Sequence, residues 1–141
     1  MSNYKKSKDF ESRLEESTKI MNKYPDRIPI VVEKHAKCNL PDIDKNKYLV
    51  PNDMVLSQFI YTVRKRIKLD AAEALFFFID NTVPTNSAPI GELYNLHKDK
   101  DGFLYIVYNS ENDSRRRATP LVFLVFLIPK NLLKLIGETL W

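Results

Sequence analysis

The chain has 141 residues, 44% apolar and 28% charged, which fits one domain with a substantial core and excludes both a disordered chain and a membrane protein throughout. Its formal charge of +4 is unevenly placed: five of the 22 Lys/Arg (Arg115, Arg116, Arg117, Lys130, Lys134) and two of the 18 Asp/Glu (Asp113, Glu138) lie from residue 113 onward, leaving 17 against 16 before it. The nearly neutral body argues against a nucleic-acid partner, and the one cysteine, Cys38, excludes an internal disulfide and fits a reducing compartment.

The opening MSNYKKSKDF holds positive charge with no apolar run behind it, so no secretory signal is expected there and the protein reads as cytosolic at synthesis. Tyr4 to Lys8 fits a short basic helix. Asp9 then caps a longer helix with apolar positions Phe10, Leu14, Met21 and Tyr24, and Ile20 beside them; Glu11, Glu15 and Glu16 suit its positive N-terminal end, and Pro25 stops it. Arg27 to Glu33 is β-branched and apolar on both faces, the pattern of a covered strand, in which Pro29 needs a neighbour that does not ask for its N–H.

His35 to Asp44 reads as a polar connection, and Lys45 to Pro51 as the return arm of a hairpin. At the two-residue period of a strand, Lys45, Lys47 and Leu49 face one way while Asn46, Tyr48 and Val50 face the other. Lysines on one face and a terminal proline mark an edge strand. Such an edge either stays plain or accepts an extended peptide, whose main chain supplies affinity while its alternate side chains enter pockets on either side.

Asn52 or Asp53 is expected to open the next helix, whose Leu56, Phe59, Ile60, Val63 and Ile67 recur at helical spacing and whose outer face carries Arg64, Lys65, Arg66 and Lys68 as a solvated basic side. Leu75 to Ile79 is a buried strand closed by the turn pair Asp80-Asn81; residues 84–89 form a loop, and Ile90, Leu93, Tyr94 and His97 mark a short helix. Asp99 to Gly102 turns tightly into a last strand, Phe103 to Tyr108. This order predicts an α+β layer, one sheet covered by helices.

No catalytic constellation emerges. Cys38 lies in the connecting loop near His35, His97 is the other histidine, and no third group orients a nucleophile. These residues are too few for a structural zinc site; Gly91, Gly102 and Gly137 match no phosphate-cradling spacing; Asp99 and Asp101 beside Gly102 lack the rest of a calcium loop. The expectation is a protein that is not an enzyme and holds no metal or cofactor.

Taken together, Lys23-Tyr24-Pro25-Asp26-Arg27-Ile28-Pro29, Lys45 to Pro51, Ala74-Leu75-Phe76-Phe77-Phe78 and Asp101-Gly102-Phe103-Leu104-Tyr105 closely resemble the autophagy-related ubiquitin-like modifiers, of which the GABARAP proteins are members. The match runs from about Phe10 to Asn112, which separates a ubiquitin-like domain with a helical extension (1–112) from an atypical tail (113–141). The resemblance implies a ubiquitin-like β-grasp: a four-stranded mixed sheet, first and last strands parallel in the middle, with two additional N-terminal helices.

It also implies a location in the cytoplasm and on autophagosome or cytoplasmic vesicle membranes, and a second strand that accepts aromatic-x-x-aliphatic peptides of cargo receptors and adaptors. Carried to this chain, the aromatic side chain enters a pocket of Glu16, Ile20, Pro29, Val31, Lys47, Leu49 and Phe103. The aliphatic one enters a second pocket of Tyr48, Val50, Pro51, Met54, Phe59 and Val63, with Arg27, Lys45, Lys47 and Arg66 facing acidic flanks. Two desolvated anchors then supply most of the binding energy and the rim charges mainly on-rate. Ile20, Val31 and Phe59 equally suit an ordinary core, and Thr62 stands where the family tends to have an aliphatic residue.

The tail departs from the pattern. The family's glycine, exposed by a processing cysteine protease and joined by conjugating enzymes to phosphatidylethanolamine, is expected near Arg115, with an aromatic near Ser114; neither is present. Leu121 to Ile128 is an unbroken apolar run, too short for a helical span of about twenty residues, and extending it to Leu140 takes in Pro129, Lys130, Lys134 and Glu138. An interfacial helix with Arg115 to Arg117 at the lipid surface fits better. Three readings of the tail stand side by side: a variant or mis-assigned end in place of a glycine terminus, a membrane-binding substitute for the lipid, or a product cut after Gly137.

Overall fold

The computed structural model describes residues 2–111, so the expectations for the tail lie outside the described residues. Helices α1 (Asn3–Ser7) and α2 (Phe10–Lys23) precede strand β1 (Arg27–Lys34), strand β2 (Lys47–Pro51), helix α3 (Leu56–Arg66), strand β3 (Phe76–Phe78), helix α4 (Ile90–His97) and strand β4 (Leu104–Asn109). The sheet order is β2-β1-β4-β3, with β1 and β4 parallel at the centre and both outer pairings antiparallel.

The α+β expectation holds, and so does the ubiquitin-like arrangement with two helices ahead of it. Helix α2 is capped as expected, Asp9 Oδ1 accepting from Ser12 N at 2.8 Å, and α3 buries Leu56, Phe59, Ile60, Val63 and Ile67. Asp80 and Asn81 both adopt positive φ, 50° and 62°, as the reverse turn between Ile79 and Thr82 requires.

Alternation divides the apolar residues between two faces. Ile28, Ile30 and Val32 of β1, Tyr48 and Val50 of β2 and Leu104, Ile106 and Tyr108 of β4 join α3 and α4 in the main core. Val31 and Phe103 turn to the opposite face, where Tyr4 of α1 packs on them with Tyr105 alongside.

Several local expectations are corrected. Phe10 and Leu14 of α2 lie exposed, while Arg13 and Ser17 are its buried residues. The reason is Asp101: its buried carboxylate accepts from Arg13 Nη1 at 2.6 Å and its main-chain oxygen from Ser17 Oγ at 2.5 Å, so α2 turns its polar side inward. The connection before β2 is not wholly polar either. Cys38 and Leu40 enter the main core, and Tyr108 Oη donates to Pro41 O at 2.6 Å, burial pushing that phenol up to about 12.

Helix α3 opens at Val55 instead of Asn52 or Asp53. Asn52 O and Met54 O accept from Gly91 N and Ile90 N at 2.8 Å, which ties that stretch to α4, and Gln58 Oε1 caps Val55 N at 3.1 Å. Arg64 leaves the solvated basic side altogether. It is buried, and its Nη2 donates to Asp70 O at 2.7 Å and Glu73 O at 2.6 Å, fastening the loop before β3.

Candidate functional site

The sequence-derived site residues converge on β2, which is an outer strand of the sheet formed by the described residues. Val32 N donates to Asn46 O at 2.7 Å and Asn52 N to Asp26 O at 3.0 Å. Hydrogen-bonded pairs alternate along an antiparallel ladder, so Ile30/Tyr48 and Ile28/Val50 are bonded while Val31/Lys47, Pro29/Leu49 and Arg27/Pro51 are not. Pro29 thus sits where β2 asks for no N–H, and pairing to β4 begins one residue later, at Ile30. By the same alternation the main-chain N–H and C=O of Lys47 and Leu49 point away from β1.

Side chains follow the same parity. Lys47 and Leu49 share the α2 side with Val31 and Phe103, while Tyr48 and Val50 share the α3 side with Met54, Phe59 and Val63. Tyr48 meets Phe59 edge-on at 5.2 Å between ring centroids. Both groups of lining residues are closed: Val31, Leu49 and Phe103 on one side and Val50, Phe59 and Val63 on the other are 0% exposed. Ile20 and Pro51 at the margins are half-buried.

Tyr4, which sequence reasoning left out, closes the α2 side. Its ring stands edge-on over Phe103 at 5.5 Å, its N–H donates to Glu33 Oε2 at 3.0 Å, and its hydroxyl donates to Glu16 Oε1. Glu16 gathers cations as well, pairing through Oε2 with Lys47 and through Oε1 with Lys8 at 3.3 Å. Partial burial pushes the Glu16 carboxyl up, but the hydrogen bonds from Lys47 and Tyr4 outweigh it and hold it below its ordinary value. Burial, followed by the bond to Glu16, drives the Tyr4 phenol well upward. A signal for Tyr4 existed in the sequence, an aromatic amid lysines in a helix too short to fold alone, but nothing local said which surface it would cover.

The charged rim is looser. Arg66 Nε pairs with the exposed Asp44 at 2.8 Å, and Lys45 Nζ lies 5.4 Å above the Tyr48 ring, where burial lowers the ammonium. Arg27 pairs in register with Pro51 at the far end of β2, and its Nη1 is buried with no hydrogen-bond partner among the described residues. Thr62 turns its hydroxyl onto Gln58 O at 3.3 Å. Among the described residues no group of three His, Cys, Asp or Glu is placed to hold a metal, and no helix is long and apolar enough to cross a membrane.

The family model described as Autophagy protein Atg8 ubiquitin like matches residues 12–114. The chain belongs to the Atg8 family. It is 53% identical over 111 residues to Autophagy-related protein 8a of Arabidopsis thaliana, covering 79% of this chain and 91% of the relative. Autophagy-related protein 8 of Kluyveromyces lactis is 50% identical over 109 residues, covering 77% and 88%.

Among solved structures, ATG8 of Trypanosoma brucei superposes with a TM-score of 0.75 at 41% identity, over 77% of this chain and 94% of that one. Atg8 of Plasmodium falciparum, solved in complex with an Atg3 peptide of the same organism, gives 0.73 at 37% identity, over 79% and 98%. The protein is therefore an autophagy-related, ubiquitin-like chain, as the four sequence motifs indicated.

Proposed function

We propose that this Atg8 family member works as a docking module on autophagosomal membranes, recruiting cargo receptors and adaptors by accepting an aromatic-x-x-aliphatic peptide along β2. The observation that carries this reading is the two-sided edge. In an extended peptide, side chains three residues apart point to opposite faces of the sheet. Lys47 and Leu49 turn their main-chain groups outward, Leu49 and Phe103 lie on one side, and Tyr48 and Val50 on the other. Anchors spaced two or four apart would both fall on the same side.

The complex of the Plasmodium falciparum relative with an Atg3 peptide extends the partner class to conjugation machinery. Calorimetric titration of an aromatic-x-x-aliphatic peptide tests the reading. Leu49→Ala combined with Phe103→Ala is expected to abolish binding while cooperative unfolding is retained, and unchanged affinity would sink it.

A second reading has a specific observation behind it: Arg115 stands where the family's lipid-linked glycine is expected, so this chain acts as an unconjugated adaptor with the same edge. The C-terminal peptide mass of the endogenous protein, taken from cytosolic and membrane fractions, separates the two. A glycine end carrying phospholipid mass in the membrane fraction supports conjugation to phosphatidylethanolamine after processing by a cysteine protease. An end at Trp141 in that fraction supports the unconjugated form.

A further inference from the structure

Glu16, Val31, Lys47 and Phe103, all on the α2 side of the edge, meet on one further side chain, Tyr4. Its hydroxyl donates to Glu16 Oε1, it packs with Val31 and Phe103, and the Lys47 ammonium lies 5.7 Å from its ring centroid. These contacts are layered. Glu16 and Lys47, paired with each other, keep 19% and 26% of their side chains exposed, whereas Tyr4 keeps 6% and Val31 and Phe103 none. A side chain that parts the Glu16–Lys47 pair to reach Phe103 therefore meets the Tyr4 ring on the way.

That ring is already engaged by charge. Lys8 Nζ and Lys47 Nζ each lie 5.7 Å from its centroid, and it meets Phe103 at 74° with 5.5 Å between centroids. The face of an aromatic ring is electronegative and its rim electropositive, so ammonium groups and ring edges take the same place on it. An anchor that pushes Lys47 off Tyr4 removes one such attraction. An aromatic anchor restores it by presenting its own rim, while a saturated anchor of the same size offers contact area alone.

We propose that Tyr4 is a specificity-determining residue of the β2 edge, the wall of the first pocket that selects an aromatic anchor over a saturated one. The inference rests on the docking reading and adds to it the residue that reads the aromatic position. The ring is held independently of the strand it serves. Ser2 caps Lys5 N at 3.3 Å, Tyr4 N donates to Glu33 Oε2 at 3.0 Å, and Lys5 Nζ pairs with Asp99 Oδ1 at 2.5 Å, so α1 keeps its seat when Lys47 moves.

The test titrates two fluorescein-labelled peptides, with Phe-x-x-Leu and cyclohexylalanine-x-x-Leu cores, against the full chain and its Tyr4→Leu, Tyr4→Phe and Lys5→Ala variants. The advantage of the Phe peptide is expected to fall about threefold or more in Tyr4→Leu, as the strength of an aromatic pair implies, and to persist in Tyr4→Phe, which keeps the ring, and in Lys5→Ala, which loosens α1 but keeps Tyr4. In the unsubstituted chain, the NMR signals of the Tyr4 ring protons are expected to shift further with the Phe peptide than with the saturated one. Weakening shared equally by both peptides in Tyr4→Leu marks a merely structural role and overturns the inference. An advantage lost in Tyr4→Phe or Lys5→Ala as fully as in Tyr4→Leu overturns it too, by assigning the selection to Glu16 or to the seating of α1. Tyr4 signals that respond alike to both peptides overturn it without any variant, so misfolding of Tyr4→Leu does not shield it. These results leave the docking reading standing, whereas an unsubstituted chain that binds neither peptide fails that reading and the inference with it.

Discussion

Asp101 and Glu16 both tie the N-terminal helices to the sheet, Asp101 from a turn with no exposure at all and Glu16 from a partly open edge beside β2. Asp101 receives Arg13 at 2.6 Å, Tyr105 Oη at 2.5 Å and Phe103 N at 2.9 Å, so each of its carboxylate oxygens is engaged in fixed geometry. Glu16 instead collects the flexible ends of Lys8 and Lys47 with one phenol. A buried ion pair gains less than its Coulomb attraction suggests, yet losing one partner strands the other charge; an open pair loses little either way. The first carboxylate fixes where α2 lies, and the second marks where the edge is able to give.

Breaking the buried member is expected to have the largest effect. Asp101→Ala strands Arg13 and leaves Tyr105 Oη and Phe103 N without their acceptor, a loss of about 3–5 kcal/mol read from urea unfolding. Arg13→Met in that background should cost less than it does alone, because the two changes remove one shared interaction. Gly102→Ala comes next: its φ of 88° and the approach of Ser17 to the added methyl cost about 1–3 kcal/mol. Glu16→Gln is expected to cost at most about 1 kcal/mol at pH 7.

The pH response sharpens the same contrast. Glu16 is held below its ordinary value of 4.5, so its contribution is present above that pH and is lost as pH falls through the depressed folded-state value. The stability gap between wild type and Glu16→Gln, followed by urea midpoints, should therefore close on acidification below about 4.5; a gap independent of pH would refute the ionic role. The smallest effect is expected at Phe10→Ser or Leu14→Ser, within about 0.5 kcal/mol, since these residues sit on the outer side of α2.

That last pair shows where sequence reading stops. Strand and helix order, the Asp9 cap, the Asp80-Asn81 turn and the parity of β2 were legible because each depends on neighbours in the chain. The inward side of α2 was not. Met21 does pack against the main core, but Phe10 and Leu14, read as the same apolar stripe, stay outside, because the surface the first turns of α2 meet presents Asp101, and a carboxylate 88 residues away from Arg13 overrides local hydrophobicity. Arg64 failed for the same reason, its partners being the carbonyls of Asp70 and Glu73 in a loop whose path the helix pattern does not encode. At the candidate site, the sorting of Leu49 and Tyr48 to opposite sides followed from the two-residue period, whereas the lid of Tyr4 required knowing that α1 crosses Phe103.

The parallel pairing of β1 with β4 also dictates when folding can finish during synthesis. Ile30 waits for Leu104, and at about 5–20 residues per second that interval lasts between about 4 and 15 s. Throughout it the sheet of the nascent chain holds at most the β1–β2 hairpin, since both other pairings need β4, and its Ile28, Ile30 and Val32 lack β4 beside them and part of their core above them. A half-made molecule of this kind is sticky along its central strand, so its fate on the ribosome depends on chaperone cover or on speed, until Asn109 has emerged.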